Sequence, residues 1–346
     1  MINSFINLFR TSHWWNYIFP PILGILYFVL LNEESKFEDI WLQLILFFIS
    51  FVFTASFGFF YNDFCDIESD NKAGKQNFVQ KFSLKKRYFV LFLLLFLAIL
   101  PWLFFKNIQI GIFLFSIQLF LLFAYSHPYI RLKNKIHIAI ITDALYSSLL
   151  PALIAFFLFS KNNLKTENIE IILFFISILF LRGLRNILIH QIIDAENDIK
   201  SNTQTIVISY GEHNIYKTLS FILLPIEIIM IVLFCVFLVL KIDFAWIIIP
   251  LLIIFYAVKL FDAKAEKNKI LKIQIINDFY EDIFPIFILT LLSFIDYYYL
   301  ILLFVHVIVF KNKVVWLLLP WLYYKLFHNK YIKKGCYILG IKTKVK

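Results

Sequence analysis

IWLQLILFFISFVFTASFGFFYNDFCDIESD, residues 40–70, joins an uncharged apolar run to a cluster of carboxylates. Residues 40–62 carry no charge, and as a helix they are long enough to cross a hydrocarbon core of about 30 Å. Asp63, Asp66 and Asp70 follow at i, i+3 and i+7, a spacing that sets three carboxylates on one helical face. Like charges stacked so closely repel one another. A divalent cation relieves the repulsion, and Mg²⁺ accepts hard oxygen donors of this kind, together with phosphate oxygens. The competing reading is a solvated acidic helix end at a membrane border, so the rest of the chain has to decide.

Composition sets the class. Of 346 residues, 61% are hydrophobic and only 16% charged, with a mean hydropathy of +0.81, which describes a polytopic membrane protein. Glycine and proline are scarce, and most apolar runs exceed eighteen residues or so, which calls for helices and not barrel strands. The net charge of +10 belongs to cytoplasmic loops and anionic lipid, not to nucleic acid. Cys65, Cys235 and Cys336 show no zinc or redox spacing and are expected to be reduced.

Along the chain, residues 1–13 place Ile2, Phe5, Ile6 and Phe9 on one face, an amphipathic interfacial helix with no signal-peptide features. The first span is expected at about 14–31, with Trp14 and Trp15 as interfacial anchors, and the second at about 40–61. Lys72, Lys75, Lys81, Lys85, Lys86 and Arg87 then form the densest basic loop among the spans, which places the acidic motif in the cytoplasm. Spans at about 88–105 and 108–126 return the chain to the same side, at YSHPYIRLKNK. A fifth at about 137–159 and a sixth at about 169–193 end on HQIIDAENDIK, where Asp194 and Asp198 lie at i and i+4. A second carboxylate pair has thus arrived at the face that carries the first. Two such clusters beside cations favour metal and diphosphate binding over solvated helix ends.

Asn62, Asp63, Asp66 and Asp70 fit NDxxDxxxD, and Asp194 and Asp198 fit DxxxD; in order and spacing, these motifs resemble those of the UbiA-type intramembrane prenyltransferases. Tyr125, Ser126, Pro128, Arg131 and Lys133 resemble the family's Tyr-Ser/Thr-x-Pro segment, and Asn202 stands where the family usually has glycine, before Thr205. Asparagine is the non-glycine residue best suited to a left-handed backbone. A basic-proline element that usually follows the first motif is replaced by GKQN. The resemblance covers about residues 10–300. It implies an enzyme that binds a prenyl diphosphate through two Mg²⁺ ions, one on each aspartate cluster, with Asn62 among the metal ligands. It also implies Lys72, Lys75, Arg131 and Lys133 as charge compensation, Tyr125 at the substrate, and a small or lipidic acceptor, commonly an aromatic ring. Diphosphate departure would leave an allylic cation in a dry cavity.

On the sixth helix Asn186 and His190 share the face of Asp194 and are candidates to line the same cavity. His190 would orient a metal ligand or contact the acceptor; a packing histidine is the equal alternative. Arg182 and Arg185 point away from that face, and Asp143, at similar depth, is the expected partner of Arg185. Beyond, spans are expected at about 218–240, 244–261, 276–294 and 297–310. Asp278, Glu281 and Asp282 open the third of these, where acids suit the helix macrodipole. Residues 314–327 contain Pro320 and are short, so 311–346 reads as an interfacial or re-entrant segment with a basic cytoplasmic tail.

The expected architecture is an all-α, polytopic transmembrane bundle of nine to ten spanning helices, residues 14–310, around a central cavity open to the cytoplasmic face. It would sit in a bacterial cytoplasmic membrane. Two other functions use similar residues. Transfer of phosphoribosyl, or another diphosphate-activated group, to a polyprenyl phosphate would use the same metals, and a transporter would place its charges near mid-bilayer instead of at helix ends. The DxxDGxxAR element of the CDP-alcohol phosphotransferases is missing.

Overall fold

The computed structural model describes residues 10–72, 74, 77–105, 108–160, 166–200, 203–263, 269–310 and 312, and every regular element among them is helical. The elements that matter below are α1 (Thr11–Asn32), α2 (Phe37–Cys65), α3 (Ile67–Lys72), α4 (Leu84–Leu103), α5 (Gln109–Ser126), α6 (Ile136–Phe159) and α7 (Thr166–Lys200). They continue as α8 (Ile206–Tyr210), α9 (Glu212–Lys241), α10 (Ile248–Ala263), α11 (Lys269–Gln274), α12 (Phe284–Ile295) and α13 (Tyr299–Val309). The ten apolar runs expected from the sequence each fold as a helix. Seven of the described helices, α1, α2, α4, α5, α6, α7 and α9, have the length and composition of a membrane span. The chain is therefore a multi-pass membrane protein. The interfacial helix expected at 1–13 lies outside the described residues up to residue 9, as do Lys75, Asn202, Cys336 and the segment from 313 onward.

At 35 residues α7 is roughly 52 Å long, well beyond the hydrocarbon thickness. Its Asp194 end must project into the interfacial zone. α1 is the most buried of the spans, packed against α12 on one side and α6 on another. Trp14, expected as an interfacial anchor, is instead fully buried and packs on Phe19 and Phe59. Its neighbour Trp15 is half-buried and donates to the Val309 carbonyl at 3.1 Å.

Proline placement explains the irregular backbone. α6, α9 and the helix leading into α12 each contain a π turn, at Leu145–Leu149, Leu219–Leu223 and Phe279–Ile283. Each turn ends two residues before a proline, Pro151, Pro225 or Pro285. The wide turn moves the backbone away from the pyrrolidine ring, which would clash with the preceding turn of a regular helix. Proline still leaves a carbonyl without a donor. In α6 that carbonyl belongs to Tyr146, and the buried Gln118 side chain from α5 donates to it at 3.2 Å. In α1, Pro21 cannot serve the Tyr17 carbonyl, and Arg182 Nη2 donates there at 2.6 Å.

This interaction opens a buried polar network that corrects one expectation. Arg185 is paired not with Asp143 but with Glu227 of α9, through contacts of 2.6 and 3.0 Å, and also donates to Asn277 Oδ1 at 2.6 Å. Tyr280 Oη completes the Glu227 carboxylate at 2.8 Å. Depth along a helix does not fix rotation, and Arg185 faces α9 while Asp143 accepts from Tyr146 Oη at 2.5 Å. Asp278, Glu281 and Asp282 do open a helical segment, as expected from the macrodipole. All three are buried, with Glu281 3.4 Å from Arg182.

Two glycines mark backbone approaches. A Cβ on Gly24 of α1 would stand 2.9 Å from the Phe284 ring and 3.3 Å from Pro285, so α1 and α12 are closed upon each other at that level. A Cβ on Gly183 of α7 would stand 2.9 Å from Ala144 Cα, which joins α6 and α7 backbone to backbone.

Candidate active site

The helix carrying the first motif breaks at Asp66, whose φ and ψ of −96° and 2° turn the chain into α3. The hydrogen bond from Asp66 N to Asn62 O and that from Asp70 N to Asp66 O keep the carboxylates close despite the break. Asn77 ties the corner together. Its Nδ2 donates to the Asp63 carbonyl at 2.6 Å and to Asp70 Oδ2 at 2.8 Å, while its Oδ1 accepts from Val79 N at 2.9 Å.

Three cations from separate parts of the chain converge on this corner. Arg10, just before α1, places Nη1 2.6 Å from Asp63 Oδ1. Arg131 Nη2 lies 3.2 Å from Asp66 Oδ1, and Lys133 Nζ bonds both Asp66 oxygens. Lys133 also donates to Asn62 Oδ1 at 3.1 Å, beside Ser126 Oγ at 2.7 Å. Burial pushes the Lys133 ammonium below its usual range, against the opposing pull of the Asp66 carboxylate. Arg10 and Arg131 have φ values of 47° and 41°, left-handed conformations that cost an ordinary side chain about 1–2 kcal/mol. Strain of this kind concentrates where a side chain is held for a purpose.

Nearby, the Tyr125 ring meets that of Tyr146 edge-on at 5.3 Å. The Tyr125 hydroxyl is within electrostatic reach of Asp66, Asp143 and Asp198. Asp194 accepts from Asn197 at 3.4 Å, and the Asp198 carbonyl accepts from Thr203 N at 2.9 Å, where the chain leaves α7. His190 is exposed on the same helix and acts electrostatically on Asp143. Asn186 accepts from Arg185 at 3.1 Å and so joins this face to the buried network. Lys72 stands exposed at the end of α3.

The structure thus gathers Asn62, Asp63, Asp66, Asp70, Arg131 and Lys133 at one corner. Sequence reasoning missed Arg10, Asn77, Asp143 and Tyr146 as members of the site. A lone arginine before the first span reads as a topology signal, and Asn77 precedes a short 3-10 turn as a helix-capping residue would.

The donor set fits Mg²⁺ held with a diphosphate. It consists of hard oxygens from Asn62, Asp63, Asp66 and Asp70, and Asp194 and Asp198 of the second motif are of the same chemistry. Among the described residues no three His, Cys, Asp or Glu side chains form a ready cage. Mg²⁺ sites that lean on substrate phosphates for the remaining positions need none.

A bundle of membrane-spanning helices with two aspartate motifs at one end defines a class of intramembrane transferase. The sequence matches the UbiA prenyltransferase family over residues 20–277, and the chain belongs to that family. It is an intramembrane prenyltransferase. Its fold is similar to that of a UbiA homologue from Archaeoglobus fulgidus bound to GPP and Mg²⁺, with a TM-score of 0.60, 15% identity, and coverage of 82% of this chain and 99% of that one. The same homologue bound to DMAPP and Mg²⁺ gives a TM-score of 0.59 at 15% identity, covering 82% and 98%. A digeranylgeranylglyceryl phosphate synthase gives a TM-score of 0.53 at 20% identity, covering 84% and 99%. A search of curated proteins found no match.

Proposed function

We propose that the protein ionises a prenyl diphosphate at the corner of Asp63, Asp66 and Asp70 and transfers the prenyl group to an acceptor, of which an aromatic ring is the favoured class. The observation that carries this reading is the convergence of Arg10, Arg131 and Lys133 on Asp63 and Asp66. Acids and cations interleaved in this way neutralise each other without a ligand and can divide between metal and phosphate when one arrives. Asn62, Asp63, Asp66 and Asp70 would hold one Mg²⁺, and Asp194 and Asp198 a second. Bound Mg²⁺ supplies charge neutralisation on the departing diphosphate.

The chain's own residues do the rest. Arg10, Arg131 and Lys133 turn from the aspartates to the diphosphate oxygens, and the two tyrosine rings present faces that attract an allylic cation. The apolar walls keep water from capturing that cation. The basic loop after α3 favours a cytoplasmic orientation of this face, and the catalytic unit is residues 14–310 together with Arg10.

The test supplies purified protein with prenyl diphosphates, a lipid and small-phenol extract, and Mg²⁺ or chelator, and identifies products by mass. Chelation, Asp63→Asn and Asp194→Asn should each abolish transfer while the protein still elutes as a folded species. An active Asp63→Asn, Asp194→Asn double variant would falsify the assignment.

A further inference from the structure

The turn that follows the acidic corner carries positive charge that the corner does not use. Lys81, Lys85 and Lys86 stand exposed where the 3-10 turn Phe78–Lys81 meets the start of α4, and among the described residues none of them lies within ion-pair distance of a carboxylate. Two of them rest on aromatic rings. Lys81 Nζ is 5.5 Å from the centre of the Phe78 ring, and Lys86 Nζ is 4.4 Å from that of Phe82. An ammonium held over a ring face still has N–H donors to give to an anion. From Lys85 an exposed stripe runs along α4 through Phe89, Phe92 and Phe96 at helical spacing, with these rings 64%, 69% and 47% exposed. We propose that this patch binds an anionic phospholipid, its headgroup on the three lysines and an acyl chain along the α4 stripe, and that the bound lipid braces the acidic corner.

Location and charge select this occupant. α4 has the length and composition of a membrane span, so its first turn stands where hydrocarbon gives way to headgroups. Positive charge directly beside an apolar stripe matches a molecule with phosphate beside hydrocarbon. A soluble anion satisfies only the lysines, and a lipid without net charge satisfies only the stripe. Each lysine close to an anionic headgroup contributes about fivefold in binding.

Hydrogen bonds carry the patch to the corner. Arg87, the next residue of α4, donates from Nε to the Val79 carbonyl at 3.0 Å and from Nη2 to the Gln80 carbonyl at 3.1 Å, which fastens α4 to the turn. Val79 is buried in a cluster with Phe57, Phe60 and Tyr61 of α2, and its N–H donates to Asn77 Oδ1. Asn77 in turn donates to the Asp63 carbonyl and to Asp70 Oδ2. A headgroup that clamps Lys81 to Lys85 and Lys86 therefore holds the turn on which Asn77 rests, and with it the spacing of Asp63 and Asp70. Ordering one end of such a chain lowers the cost of ordering the other.

The test places delipidated full-length protein in nanodiscs of phosphatidylcholine alone or of equal parts phosphatidylcholine and phosphatidylglycerol. Retained lipid is read by native mass spectrometry, and amide hydrogen exchange is followed at residues 62–66 and 77–82. Wild type should retain phosphatidylglycerol in preference to phosphatidylcholine, and the mixed bilayer should slow exchange in both segments about tenfold. The double variant Lys85→Ser, Lys86→Ser should behave in either bilayer as wild type does in phosphatidylcholine, and Lys81→Gln alone should lose about fivefold of the lipid preference. Asn77→Ala should keep the lipid and the slowing at 78–82 but lose the slowing at 62–66. Equal retention of the two lipids overturns the proposal, as does slowing that survives the double lysine variant or is reproduced by inorganic phosphate in the neutral bilayer. A dimer that excludes the lipid overturns it too, by assigning the α4 stripe to a second copy of the chain. None of these readouts needs turnover, so the outcome is separate from that of the prenyl-transfer assignment.

Discussion

Arg10 Nη1 donates to Asp63 Oδ1 across 2.6 Å, joining the residue just before the first helix to the first aspartate of the motif 53 positions on. The Asp63 side chain is largely buried and the arginine about one-third exposed. Removing the arginine leaves a buried carboxylate without a cation. Arg10→Ala should lower stability in metal-free detergent by about 1–3 kcal/mol, and millimolar Mg²⁺ should restore more of it than in wild type. Thermal unfolding with and without Mg²⁺ checks both parts. Arg10→Lys should fall between, keeping charge but not the guanidinium fork.

Asn77 holds the acidic corner through three hydrogen bonds, two donated and one accepted. Asn77→Ala should destabilise the protein by about 2 kcal/mol and loosen the spacing of Asp63 and Asp70. Its apparent Mg²⁺ requirement for transfer should rise several-fold, which a metal titration of initial rates would reveal. An unchanged requirement would reduce Asn77 to a structural cap.

Glu227 and Arg185 are both fully buried. Glu227→Ala strands the guanidinium and should cost roughly 3–5 kcal/mol. Pairing it with Arg185→Met should recover most of that loss, since a buried ion pair can be replaced by packed apolar groups at little net cost. A double-mutant cycle measured by thermal or chemical unfolding would show a large coupling energy, and simple additivity would contradict the pairing.

Gly183→Ala places a methyl group 2.9 Å from Ala144 Cα. Neither backbone can yield easily. The expected loss is about 1–3 kcal/mol, read from the unfolding midpoint, with donor turnover reduced in parallel because these two helices carry Asp143, Tyr146, His190 and Asp194.

The ten apolar runs and both aspartate motifs were legible in the sequence, because hydropathy and helical spacing survive without tertiary detail. Arg131 and Lys133 were legible too, since they trail a recognisable Tyr-Ser-x-Pro segment. Arg185 was not. Its partner lies 42 positions away on α9, and the π turns in α6 and α9 slip the helical phase, so a face read on one side of the turn does not continue on the other. Arg10 was hidden for a related reason. Only the return of α2 brings Asp63 to it, and nothing local to residue 10 announces a carboxylate.

The backbone contact between Gly183 and Ala144 carries a mechanical consequence. Helices joined that closely move as one piece, so the wall bearing Asp143, Tyr146, His190 and Asp194 is a fixed jaw. The opposite jaw, α2 with its broken end at Asp66 and the short α3, has no comparable weld to that wall among the described residues. Acceptors of different thickness must then be accommodated from the Asp63 side, and variants that broaden acceptor range should map to α2 and α3 and spare the α6–α7 seam.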